Sequence, residues 1–116
     1  MLSVTEREQA SPGGDIVVLR AEGRLDSEGV DPFKTAVQNI LLRDRFRIVI
    51  DLAEVRYLNS AALRVLAEGV TRCRANGGDL RVAGPVAKVR QIFEISGFDR
   101  FLSIFEDVDA AVQSFG

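Results

Sequence analysis

The 116-residue chain has no histidine, no tryptophan and a single cysteine, Cys73. Without histidine it lacks the commonest general base at neutral pH and a frequent metal ligand. One cysteine makes no intrachain disulfide and no thiolate cluster, and Cys73 falls on the apolar stripe of a helical segment, where a free thiol behaves as a small core residue. Neither the Walker phosphate loop nor the G-x-G-x-x-G dinucleotide signature occurs, so nucleotide binding by the chain itself has no basis. No apolar run approaches the ~20 residues of a membrane span, and Met1-Leu2-Ser3 opens no signal peptide. Fifteen Lys and Arg against 17 Asp and Glu leave a net charge of −2, which gives nucleic acid no electrostatic handle. These absences predict a cytoplasmic protein that is not an enzyme, with no cofactor, no metal, no nucleic-acid partner and no membrane insertion.

Ordinary globular composition remains: 47% hydrophobic and 28% charged residues, in a chain the size of one domain spanning 1–116. Alternation at Leu2 to Glu8 predicts a short edge strand. The turn residues Ser11-Pro12-Gly13-Gly14 then lead into the β-branched run Ile16 to Leu19, closing a hairpin. Gly23-Arg24-Leu25-Asp26 ends that second strand. Asp31-Pro32 reads as an N-cap followed by proline at the first helical position, and Phe33, Val37, Ile40 and Leu41 mark a helix running to Arg43.

Arg47 to Leu52 reads as a strand, near-continuous in apolar character and therefore buried on both faces. A short polar turn and a second apolar piece ending at Tyr57-Leu58 precede Asn59-Ser60. Ala62, Val65, Leu66, Gly69, Val70 and Cys73 then recur at helical spacing, with Arg64, Glu68, Thr71, Arg72 and Arg74 on the solvated side. A serine at the mouth of such a helix is an N-cap candidate, and the same position favours anions. Asn76-Gly77-Gly78 supplies a left-handed stop. A strand at Leu80 to Ala83, a helix through Val86 to Phe93, a strand at Phe101 to Phe105 and a helix from Val108, capped by Asp107, complete the chain. The order β-β-α-β-α-β-α-β-α predicts an α/β fold, with helices packed on a mixed central sheet of four to five strands.

Several short motifs stand in a fixed order. Gly23-Arg24-Leu25-Asp26 is similar to G-x-L-D, and Asp51 to Leu63 is similar to D-L-x-x-V-x-x-x-D-S-[ST]-G-L. Gly77-Gly78, Pro85 to Val89, Phe93 and Ser96-Gly97 follow in register. Together they resemble the STAS domain of bacterial anti-sigma-factor antagonists. That resemblance implies a small α/β domain and a partner switch. The unmodified antagonist binds an anti-sigma factor with serine-kinase activity, is phosphorylated by it and released, and is reset by a serine phosphatase. Carried over by position, the phospho-acceptor is Ser60, and the partner-contact candidates are Asp26, Ser27, Asn59, Ser60, Ala61, Ala62 and Arg64. Asn59 stands where the motif has Asp and Ala61 where it has Ser or Thr. Ala62 replaces Gly, with a methyl expected where a kinase approaches the backbone. The alternative is a STAS scaffold, or a subunit of a signalling or lipid-transport complex, that is never phosphorylated. An enzyme is the weakest reading, because a serine nucleophile needs a base in reach and the only lysines, Lys34 and Lys88, fall on other helices.

Overall fold

The computed structural model describes residues 2–115; Met1 and Gly116, which the single-domain expectation over 1–116 includes, lie outside the described residues. Its elements are β1 (Ser3–Gln9), β2 (Ile16–Leu25), α1 (Val30–Leu42), β3 (Arg47–Leu58), α2 (Ser60–Ala75), β4 (Asp79–Ala83), α3 (Ala87–Ser96), a 3-10 turn at Phe98–Arg100, β5 (Ile104–Phe105) and α4 (Val108–Phe115). The five strands form one mixed sheet in the order β1-β2-β3-β4-β5, which is also their order along the chain. β1 is antiparallel to β2, and every later pair is parallel.

That order explains where the helices lie. Each β-α-β crossover steps to the next strand in the same direction, and crossovers of one hand stepping one way place their helices on one face. The side chains agree. Val30, Phe33, Val37 and Ile40 of α1, Leu66 and Val70 of α2, and Val89 and Phe93 of α3 share one core with Ile48, Ile50 and Leu52 of β3. α4 follows the last strand and is not a crossover, so it is free to cover the opposite face. There Ala111 and Val112 pack with Ile16, Val18, Val49 and Ala83. Ile48, Val49 and Ile50 are each fully buried, as expected for a strand covered on both faces.

Three expectations about boundaries are corrected. β3 does not stop at Leu52 but runs unbroken to Leu58, because β2 also continues to Leu25 and keeps offering it a partner. Register shifts between Arg20 and Glu22 and between Gly23 and Arg24 absorb the misfit, so Ala53 and Glu54 sit exposed within a strand. α1 starts at Val30, ahead of the proposed Asp31 cap. The Asp26 carbonyl accepts from Gly29 and Val30 N–H (3.1 and 3.0 Å), and Pro32 falls later in the first turn, where no N–H is required. The final strand shrinks from 101–105 to Ile104–Phe105, since Phe101 and Leu102 N–H donate back to the Phe98 carbonyl (3.0 and 2.8 Å) at the end of the 3-10 turn. The Asp107 cap is present, its Oδ1 accepting from Ala110 N–H at 2.8 Å.

Arg74 is also not simply solvated. Together with Arg81 it holds Asp79, the one buried charged residue among those described, through Nε–carboxylate contacts of 3.0 and 2.9 Å. Asp79 also accepts from Leu80 N–H at 2.9 Å, so this charge is paired as burial requires.

Two adjacent glycines end α2 for different reasons. Gly77 takes φ +79° with open space around it, whereas a Cβ on Gly78 would lie 1.8 Å from the Phe46 carbonyl oxygen, which accepts from Asp79 N–H. Gly77→Ala should therefore cost about 1 kcal/mol of left-handed strain. Gly78→Ala has to push two backbone segments apart and should cost more than about 3 kcal/mol. Urea unfolding of the two variants measures the difference, and equal losses would contradict the close approach.

Candidate functional site

The carboxyl ends of β2 and β3 lie side by side, with Leu25 paired to Leu58. The chain leaves β2 through the Asp26 turn and leaves β3 directly into α2. One hydrogen bond closes the gap between these exits: Asn59 N–H donates to the Leu25 carbonyl at 2.9 Å. Asn59 is extended (φ −100°, ψ −179°), and its Oδ1 accepts from Ala62 N–H at 2.9 Å. Asn59 is therefore the N-cap of α2, which corrects the assignment of that role to Ser60.

Ser60 becomes the first helical residue. It is exposed, and among the described residues its hydroxyl makes no hydrogen bond. The cap is complete without it, so the hydroxyl is spare and faces solvent at the helix start. Ala61 is partly exposed beside it, and Arg64 is exposed one turn further on. Ala62 is fully buried, so its methyl belongs to the core, as its place on the apolar stripe implies and contrary to its inclusion among the partner-contact candidates.

Across the gap, Asp26 organises its own turn. Its Oδ1 accepts from Glu28 and Gly29 N–H (3.2 and 3.3 Å), and its Oδ2 accepts from Arg24 Nε at 3.4 Å. Partial desolvation pushes the carboxyl pKa up, but the two backbone donors and then Arg24 outweigh it and hold it below its ordinary range. Ser27 is exposed in the same turn. The structure thus brings Asp26, Ser27, Asn59, Ser60 and Ala61 to one edge, and leaves Ala62 in the core.

Sequence reasoning passed over Arg24 and Tyr57, whose guanidinium and ring stack 4.9 Å apart beside this edge. It also passed over Gly29, where a Cβ would lie 2.2 Å from the Arg24 carbonyl oxygen. A glycine immediately ahead of a helix was the available signal for that close approach. No group of His, Cys, Asp and Glu among the described residues is arranged to hold a metal. Among the described residues no helix is long and apolar enough to cross a membrane.

A family model described as "Mlab, STAS domain" matches residues 9–105. The chain belongs to the STAS-domain family. It is similar to the proposed anti-sigma factor antagonist BtrV of Bordetella bronchiseptica, 28% identical over 94 residues that make up 81% of each chain. This STAS domain also superposes on the crystal structure of a proposed anti-sigma factor antagonist of Thermotoga maritima with a TM-score of 0.83 at 21% identity, covering 95% of this chain and 93% of that one. An anti-sigma factor antagonist from Mycobacterium paratuberculosis gives a TM-score of 0.82 at 21% identity, covering 97% and 94%. At those identities the two structures establish the fold.

Two measurements follow from the geometry. Asn59→Ala should lose about 1 kcal/mol of stability with the cap, while Ser60→Ala should stay within about 0.5 kcal/mol of the parent and Asn59→Asp should retain the cap. Urea unfolding checks this order; a larger loss at Ser60 would return the cap to that residue. Asp26 has a lowered pKa, so its contribution is full above the ordinary aspartate value of 3.8 and disappears as pH falls through the lower folded value. Parent and Asp26→Asn should accordingly differ in stability at pH 6 and converge as the pH drops below about 4, read from unfolding curves across that range.

Proposed function

We propose that this STAS domain is a cytoplasmic anti-sigma-factor antagonist, and that phosphorylation of Ser60 switches its affinity for an anti-sigma factor with serine-kinase activity. The observation that carries the reading is the spare hydroxyl of Ser60, exposed and fixed at the start of α2 while Asn59 caps the helix. The nearby turn, with Asp26 and Ser27, extends the contact surface across the β2 and β3 exits, and Arg64 extends it along α2.

In the transfer, the Ser60 Oγ attacks the γ-phosphorus of a nucleoside triphosphate held by the kinase. The bond from that phosphorus to the β–γ bridging oxygen breaks, the diphosphate leaves, and the hydroxyl proton passes to a base on the kinase. The antagonist supplies only the positioned oxygen, which agrees with the absence of histidine. The phosphate adds about 1.5–2 negative charges where a neutral hydroxyl had faced the partner. Burying that charge against a surface without a matching cation opposes binding by desolvation and repulsion. A serine phosphatase restores the hydroxyl.

A second reading is favoured by Asn59 and Ala61, which leave the acceptor without the acid and the second hydroxyl of the family motif. In it the domain is a constitutive subunit of a signalling or lipid-transport complex.

The test is co-purification of the protein with its partner from its own cell, with Ser60 and with Ser60→Asp. The switch predicts that Ser60→Asp weakens the complex at least about 30-fold and that Ser60→Ala preserves it. Intact mass before and after phosphatase treatment should show a phosphate that maps to Ser60. Unchanged binding by Ser60→Asp, in a stoichiometric complex indifferent to ATP, would replace the switch with the second reading.

A further inference from the structure

We propose that Arg64 is the internal counter-ion of the phosphate carried by Ser60. The inference rests on the reading of Ser60 as acceptor and concerns what the modified side chain touches. Residues four apart on a helix share a face, with Cβ atoms about 5–6 Å apart. Helical Cα–Cβ bonds also tilt toward the N-terminus, so a long side chain at 64 leans back over the turn that begins at Ser60.

Both residues are exposed, and among the described residues Arg64 makes no ion pair and no side-chain hydrogen bond, although Glu68 lies one turn beyond it. The other charged groups near the helix start are differently placed. Arg24 is engaged with Asp26 and stacked on Tyr57, and the Asp26 carboxylate already accepts from the turn amides. Arg56 is exposed on β3 and Glu28 is exposed in the turn, neither of them on α2. Asn59 carries no charge, so no acid adjoins Ser60 in sequence to compete for the guanidinium.

In the unmodified protein, Arg64 is therefore an uncommitted cation on the surface presented to the partner. Phosphorylation gives it a partner within its own helix. The surface changes from a free guanidinium and a neutral hydroxyl to an ion pair with residual negative charge. The partner meets the new phosphate and loses access to Arg64 in the same event.

The experiment installs phosphoserine at position 60 of the full chain by genetic encoding and follows its phosphorus NMR shift against pH. With Arg64 present, the second phosphate pKa should lie below its ordinary value of about 6. Arg64→Gln should raise it by about 0.3 unit at low salt. Arg72→Gln, about 18 Å along the helix from Ser60, should leave it unchanged. The gap should close in about 1 M salt, where the Debye length is ~3 Å. Equal midpoints for Arg64 and Arg64→Gln, or a shift produced only by Arg56→Gln, would overturn the pairing. Because the phosphate is installed, this result does not depend on any kinase. Unchanged partner binding by Ser60→Asp would sink the proposed switch while leaving the ion pair standing.

Discussion

Because β3 contributes to both apolar layers, neither layer can close until that strand is paired along both edges. Ile48, Ile50, Leu52, Val55 and Leu58 enter the layer shared with α1, α2 and α3, while Val49 enters the smaller layer under α4. Covered on both faces, its backbone has no water to bond, so β2 and β4 must satisfy it. The length of β3 then decides where α2 begins. Had it ended at Leu52, the polar stretch after it would have been a free loop and Ser60 would have had no fixed place.

The exit from β3 is held by both polar ends of one residue. The Asn59 main chain reaches back to Leu25 and its side chain reaches forward to Ala62. Substitution of the motif aspartate by asparagine removes a charge and keeps the capping oxygen. The local architecture therefore survives the departure, and what changes is the electrostatics around the hydroxyl. Arg64 alters the same balance from the other side, by adding a cation one turn away.

Periodicity located the helices well. Every residue of the α2 stripe from Ala62 to Cys73 is buried, and the alternation of elements led to the right sheet class. What could not be read were features that depend on a neighbour distant in sequence. β3 outlasts its apolar run because β2 continues beside it as far as Leu25, the partner of Leu58. The turn before α1 is set by Asp26, several residues ahead of the Asp31-Pro32 signal. Arg74 was placed on the solvated face by its helical position, yet it turns back to Asp79 across the end of the helix. At the site, composition and motif order brought out Ser60 and Asp26. Position alone could not separate the residue that caps from the residue left free, because that depends on which oxygen faces the Ala62 amide. For Ala62 the periodicity is right and the motif position misleading, since the residue sits on the buried stripe.

Cys73 lies fully buried on the core-facing side of α2, and burial, then the charge of Asp79, pushes its thiol pKa up to about 12. In the folded state it has almost no thiolate at physiological pH and no path to an oxidant. Covalent capture by a thiol reagent therefore requires α2 to lift from the sheet. The chain carries a built-in reporter of that opening, whose labelling rate measures how often the helix that begins at Ser60 detaches and stays blind to redox conditions while it is seated.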